Sequence, residues 1–194
     1  LRALDATVDY IRMKYPEIFL IADAKRGDIG NTAKMYAKAF FEEMDFDAVT
    51  IAPYMGADSV TPFLEYKDKW AIVLALTSNA SAYQFQNAQK DGKPLYQAVM
   101  EEMMEISTPD NMMFVVGATK ADKLEELRSF CPDNFFLVPG VGAQGGSAEE
   151  VIAHGANDHG GLLINSSRGI LFADSTEDFA YVAGKVAART ANLQ

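Results

Sequence analysis

A carboxylate and an ammonium two positions apart, Asp23 and Lys25, are the residues of this chain best suited to chemistry. They open the stretch Asp23-Ala24-Lys25-Arg26-Gly27-Asp28-Ile29-Gly30-Asn31-Thr32, directly after an apolar run. If that run is a strand, the two side chains share one face. An ammonium held beside a carboxylate is a proton donor whose charge is fixed by its neighbour. Asp28 lies three residues beyond Lys25, in the loop or first turn of a following helix. The alternative is a salt-bridged strand end, with Asp28 or Asn31 capping that helix.

Two further clusters suit an anion. Pro139-Gly140-Val141-Gly142-Ala143-Gln144-Gly145-Gly146-Ser147 holds four glycines within seven residues, which lets backbone N–H groups come close to a phosphate. In Asn165-Ser166-Ser167-Arg168-Gly169, the Arg168 guanidinium can fork onto a phosphate beside the N–H groups of the next turn. An ordinary glycine turn and a surface arginine are the alternative. Thr77-Ser78-Asn79 offers hydroxyl and amide groups that either read the edge of a polar heterocycle or cap the next segment. Tyr54, Gln84 and Gln86 read as loop residues, His154 and His159 as structural, and Cys131 as a small buried residue.

The elements that must position these groups are legible in the apolar pattern. Six short runs, 18–22, 48–52, 71–76, 112–116, 135–138 and 162–164, are mostly continuous rather than alternating. That pattern marks strands covered on both faces, as in a parallel sheet. Helical spacing over 1–14, 32–44, 95–106, 120–130 and 148–153, the last after Ser147 as N-cap, completes an alternating α/β order. Chemical clusters follow almost every strand. A (β/α)8 TIM barrel builds its active site from several strand ends, and its last two loops frequently bind phosphate. A doubly wound sheet concentrates its contacts at one switch point. The expected fold is therefore the barrel, as one domain over 1–194. Such a barrel has eight strands and about 250 residues, so the chain reads as N-terminally incomplete, without the first two βα units.

Composition narrows the function. Seventeen Lys and Arg against 27 Asp and Glu give a net charge of −10, which disfavours nucleic-acid binding through phosphate neutralisation. No apolar run approaches the roughly 20 residues of a membrane span, and the start lacks a signal-peptide pattern. One Cys and two His leave little for a thiolate or histidine metal centre. A reducing cytoplasmic setting is expected.

Asp23-Ala24-Lys25-Arg26-Gly27-Asp28-Ile29 with Thr32 resembles the D-x-K-x-x-D-I-x-x-T signature of the orotidine 5'-phosphate decarboxylase family. Pro53-Tyr54-Met55-Gly56, Pro62-Phe63, Thr77-Ser78-Asn79, Val116-Gly117-Ala118-Thr119, the Gln144 loop and Ser166-Ser167-Arg168-Gly169 resemble it too, in the same order, and most closely its longer bacterial subgroup. The resemblance implies cofactor-free, metal-free decarboxylation of orotidine monophosphate to uridine monophosphate, the last step of pyrimidine nucleotide synthesis. It implies that Lys25 protonates C6 as CO2 leaves, with Asp23 beside it. It implies that Asp28 and Thr32 reach into the neighbouring site of a homodimer. Ser78 would read the pyrimidine edge, and Gln144 and Arg168 would clamp the phosphate. The family's ribose Asp and its other catalytic Lys, on its first two strands, have no counterpart here. Two other readings remain. One is a Mg-dependent sugar-phosphate lyase or synthase of the wider suprafamily, of the hexulose-phosphate synthase or ketogulonate-phosphate decarboxylase type. The other is a non-catalytic nucleotide-binding barrel fragment.

Overall fold

The computed structural model describes residues 2–118, 121–141 and 146–191. Along the chain run α1 (Arg2–Lys14), β1 (Ile21–Arg26), α2 (Gly30–Lys38), β2 (Ala48–Ile51), α3 (Thr61–Leu64) and β3 (Trp70–Leu76). They are followed by α4 (Tyr83–Gln86), β4 (Gln89–Lys90), β5 (Lys93–Pro94), α5 (Leu95–Glu105), β6 (Met112–Val116) and α6 (Ala121–Phe130). The chain closes with β7 (Phe136–Pro139), α7 (Ala148–Gly155), β8 (Leu162–Asn165), α8 (Arg168–Leu171) and α9 (Phe179–Ala191). Six strands form one sheet in the order β1-β2-β3-β6-β7-β8, and β4 pairs with β5 in a separate hairpin. Every residue of β2 and β6 is buried. That explains why their sequences are continuously apolar rather than alternating. The architecture is α/β, as expected.

The chain divides into two compact units: Leu1–Leu74 with Gln89–Met113, and Ala75–Ala88 with Phe114–Gln194. In the first, β1 and β2 run parallel, and β2 pairs with β3 without a slip from Ala48↔Trp70 to Ile51↔Val73. Helix α2 continues into a π-helical stretch, Ala39–Glu43, that turns Phe40 and Phe41 into the core. Phe41 meets Phe63 edge-on at 6.1 Å between ring centroids. Arg12 of α1 ties this helix to the start of β2, with its Nη2 2.8 Å from the Asp47 carboxylate.

In the second unit β6, β7 and β8 are parallel neighbours. Arg128 of α6 joins its elements. Its Nε donates to Gly155 O at 2.8 Å, and its Nη groups donate to Asn134 O at 2.7 Å and Gly161 O at 2.9 Å. The guanidinium also lies over the Phe136 ring at 4.0 Å. Ser147 caps α7 as expected, accepting from Glu150 N. Cys131 is buried, and desolvation pushes its thiol up to about 11. His154 meets Glu125 at 3.5 Å, while His159 donates its backbone N–H to Asn157, both structural arrangements.

Several elements differ from expectation, among them the short helices α3, α4 and α8. The first strand is Ile21–Arg26, not 18–22, because Ile18 and Phe19 stay exposed and the Asp23 cluster lies within the strand. The hairpin β4–β5 turns at Asp91-Gly92, both at positive φ (54° and 83°). That Asp-Gly pair is a hairpin signal. Helix α9 was not anticipated either.

Candidate active site

In the first unit the chemistry gathers where β1 leaves its ladder. Pairing runs Ile21↔Ala48, Ala22↔Val49 and then Arg26↔Ile51, so the register slips between Ala22 and Arg26. Four steps on β1 face two on β2, and the extra length is a bulge that re-aims side chains. Asp23 and Lys25 lie in it. Lys25 has φ 47°, in the left-handed region; the other non-glycine residues at positive φ, among those described, are Asp45, Asp68 and Asp91. Aspartate tolerates that region, whereas a long side chain there costs about 1–2 kcal/mol. Strain of this kind is retained where the surroundings over-determine it, commonly at functional sites.

The Lys25 ammonium lies 2.5 Å from Asp23 Oδ1, and each side chain is about half exposed (53% and 55%). An ion pair so open to water adds at most about 1 kcal/mol to stability, so its geometry points to use rather than to holding the fold. Thr50 of β2, fully buried, supports the pair from below. Its hydroxyl accepts from Lys25 N at 2.9 Å and donates to Asp23 Oδ1 at 3.0 Å. Beyond the pair, Gly27 passes close to β2, where a Cβ would stand 3.0 Å from Ala52 O. The Arg26 guanidinium packs over the rings of Tyr36 and Phe40 at 5.2 and 5.7 Å, fixing α2 against the end of β1.

Asp28 is half-buried, and its Oδ1 accepts from Ile29 N at 2.8 Å. It does not cap α2, whose N-cap is Ile29 without a side-chain bond. Thr32 is exposed in the first turn of α2. Among the described residues no hydrogen bond joins Asp28 or Thr32 to the Asp23–Lys25 pair.

In the second unit the strand ends carry polar groups. Gln86 clasps Thr77 reciprocally: Thr77 N donates to Gln86 Oε1 at 2.9 Å, and Gln86 Nε2 donates to Thr77 Oγ1 at 2.8 Å. The strand end that carries Ser78 is thereby fixed. Ser78 is half-buried against Gly117, where a Cβ would meet Ser78 Cβ at 2.7 Å. Arg168 begins α8, is exposed, and follows Ser167, whose hydroxyl donates to Asn165 Oδ1 at 3.1 Å. Gln144 lies outside the described residues, as do Gly142, Ala143 and Gly145 of its loop. Among the described residues no group of three or more His, Cys, Asp and Glu could hold a metal ion.

The structure thus brings Asp23 and Lys25 together, as their spacing predicts. It adds Thr50 and Gln86, which the sequence analysis did not select. Thr50 carried a signal, as the one polar residue in the run 48–52. Gln86 carried none, because its partner is nine residues away across a loop.

Comparison with known proteins decides the family. A sequence model described as "Orotidine 5'-phosphate decarboxylase / HUMPS family" matches residues 5–180. The chain belongs to this family. It is 55% identical over 186 residues to the orotidine 5'-phosphate decarboxylase of Phocaeicola vulgatus, a match covering 95% of this chain and 68% of that protein. Among solved structures, Leishmania donovani UMP synthase superposes with a TM-score of 0.86 at 36% identity, covering 99% of this chain but 42% of that one. Leishmania donovani OMP decarboxylase gives a TM-score of 0.82 at 34% identity, covering 99% and 75%. By family, relatives and structural neighbours alike, the activity is that of an orotidine 5'-phosphate decarboxylase, a carboxy-lyase. The six-stranded α/β sheet is consistent with part of a TIM barrel. The Mg-dependent sugar-phosphate reading is not favoured, and neither is a merely binding fragment. Among the described residues no helix is long and apolar enough to cross a membrane.

Proposed function

We propose that this protein decarboxylates orotidine 5'-monophosphate to uridine 5'-monophosphate at the β1 bulge, with Lys25 as the proton donor, and so completes pyrimidine nucleotide synthesis. The observation that carries the reading is the strained Lys25 backbone, with its ammonium 2.5 Å from Asp23. When the bond from C6 to the carboxylate breaks, CO2 leaves and the electron pair stays on C6 as a vinyl carbanion. An ammonium fixed beside C6 stabilises that charge as it develops and then transfers its proton to C6. Asp23 holds the ammonium and lies toward the departing carboxylate, an anion that it disfavours before CO2 is lost.

Ser78 reads the pyrimidine edge, and Gln144 and Arg168 hold the phosphate. Binding energy from the phosphate, remote from C6, is then available to orient the reacting end. The net charge of −10 opposes an anionic substrate at long range, so Lys25 and Arg168 supply the local attraction. Asp28 and Thr32 complete the neighbouring subunit's site in a homodimer. No cofactor enters this mechanism, and the setting is the cytoplasm. The test is conversion of orotidine 5'-monophosphate in the presence of a chelator. Lys25→Ala abolishes turnover and leaves nucleotide binding largely intact; full turnover by that variant removes Lys25 as the donor.

A further inference from the structure

We infer that Thr50 is a positioning residue for the reaction, its single hydroxyl setting both the Lys25 backbone and the Asp23 carboxylate. This rests on the proposed function of the pair. The register slips between Ala22 and Arg26, and within that segment the Thr50 hydroxyl accepts from the Lys25 N–H at 2.9 Å. The same hydroxyl directs its proton to Asp23 Oδ1 at 3.0 Å, the oxygen that also faces the Lys25 ammonium. A hydroxyl donates one hydrogen bond and accepts others; Ala22 O, at 3.5 Å, is the more distant acceptor for its proton, and the shorter contacts go to the two partners that define the site.

Burial makes the hydroxyl specific. Thr50 has no solvent exposure, so water cannot readily replace the lost group. Its neighbours Val49 and Ile51 are apolar and equally buried, so packing alone asks only for a β-branched side chain at this position. Valine has that shape. What the hydroxyl adds over that shape is hydrogen bonding, and its shortest bonds end on the strained lysine and on its carboxylate. Ordering the pair before substrate arrives places the ammonium where the carbanion forms, and misplacement by about 1 Å can cost 100-fold in rate.

The test compares Thr50→Val, Thr50→Ser and Lys25→Ala in steady-state decarboxylation, with amide hydrogen exchange at Lys25 as an activity-independent readout. Thr50→Val lowers kcat about 10- to 100-fold, leaves KM within about twofold, as expected for a group acting on the chemical step, and loses protection of the Lys25 amide. Thr50→Ser keeps kcat and the protection. Should Thr50→Val not fold, Thr50→Cys makes the same comparison against Thr50→Ser, since a thiol is a weak donor and acceptor. Unchanged kcat in Thr50→Val, a loss carried by KM, or an equal loss in Thr50→Ser overturns the inference. The two failures are distinguishable. An active Lys25→Ala removes the proton donor and Thr50's role with it; an inactive Lys25→Ala beside a fully active Thr50→Val removes Thr50 alone.

Discussion

Gly117 lies so close to Ser78 that a Cβ added to it would stand 2.7 Å from Ser78 Cβ and 2.8 Å from Ser78 N. One of these contacts is to backbone and the other to the first side-chain atom, so no flexible tip can yield. Gly117→Ala must therefore shift the strand end that carries Ser78. The expected loss of stability is about 1–3 kcal/mol, the usual range for an overpacked site. KM for the nucleotide rises as well if Ser78 reads the base, as proposed. Thermal unfolding and steady-state kinetics check both, and a variant unchanged in each would show that Ser78 tolerates displacement.

Lys25 allows strain and function to be separated. Lys25→Ala keeps the left-handed backbone and loses a half-exposed ion pair, so its stability stays within about 1 kcal/mol of the parent. Lys25→Gly relieves a left-handed penalty of about 1–2 kcal/mol while adding about 0.5–1 kcal/mol of chain entropy to be lost on folding. The glycine variant is thus the more stable of the two, by up to about 1.5 kcal/mol, and both lack turnover. Denaturant midpoints measure the order; a less stable Lys25→Gly would mean that the φ of 47° carries no strain.

Arg168→Ala weakens phosphorylated ligands by about 2 kcal/mol, at the bottom of the range of about 2–5 kcal/mol for truncating one partner of a buried charge pair. The lower end applies, because Arg168 is exposed. The unphosphorylated nucleoside is barely affected. Calorimetric titration of both ligands tests this, and equal losses for the two would remove Arg168 from the phosphate site.

Asp28 sits beyond the strand that carries Lys25, half-buried and bonded to its own neighbour Ile29 N, and the proposed function assigns it to the neighbouring subunit's site. In a two-fold dimer each subunit completes the other's site. Mixing inactive Asp28→Ala with inactive Lys25→Ala then restores activity. One site of each mixed dimer takes both lesions and the other takes neither, so random exchange leaves about a quarter of all sites intact. Tagged mixed dimers that form and stay inactive would place Asp28 in its own subunit's site or outside the site altogether.

The buried strands and the Asp23–Lys25 pair were legible because burial and period leave marks on local sequence. β2 and β6 read as continuous apolar runs, and a two-residue spacing put both charges on one face. The start of β1 was not legible: Ile18 and Phe19 are as apolar as strand residues but remain exposed. Thr50 and Gln86 were missed because their roles depend on partners across the sheet and the loop, 25 and nine residues away. The bulge was invisible for the same reason, since register is a property of two strands and only one can be read at a time.

The most direct test follows the proton. Turnover of orotidine 5'-monophosphate in D2O by the parent protein, with chelator present, yields uridine 5'-monophosphate carrying deuterium at C6, and Lys25→Ala yields none while still binding the nucleotide. C6-deuterated product formed by Lys25→Ala at the parent rate would contradict the assignment of Lys25 as the group that protonates C6.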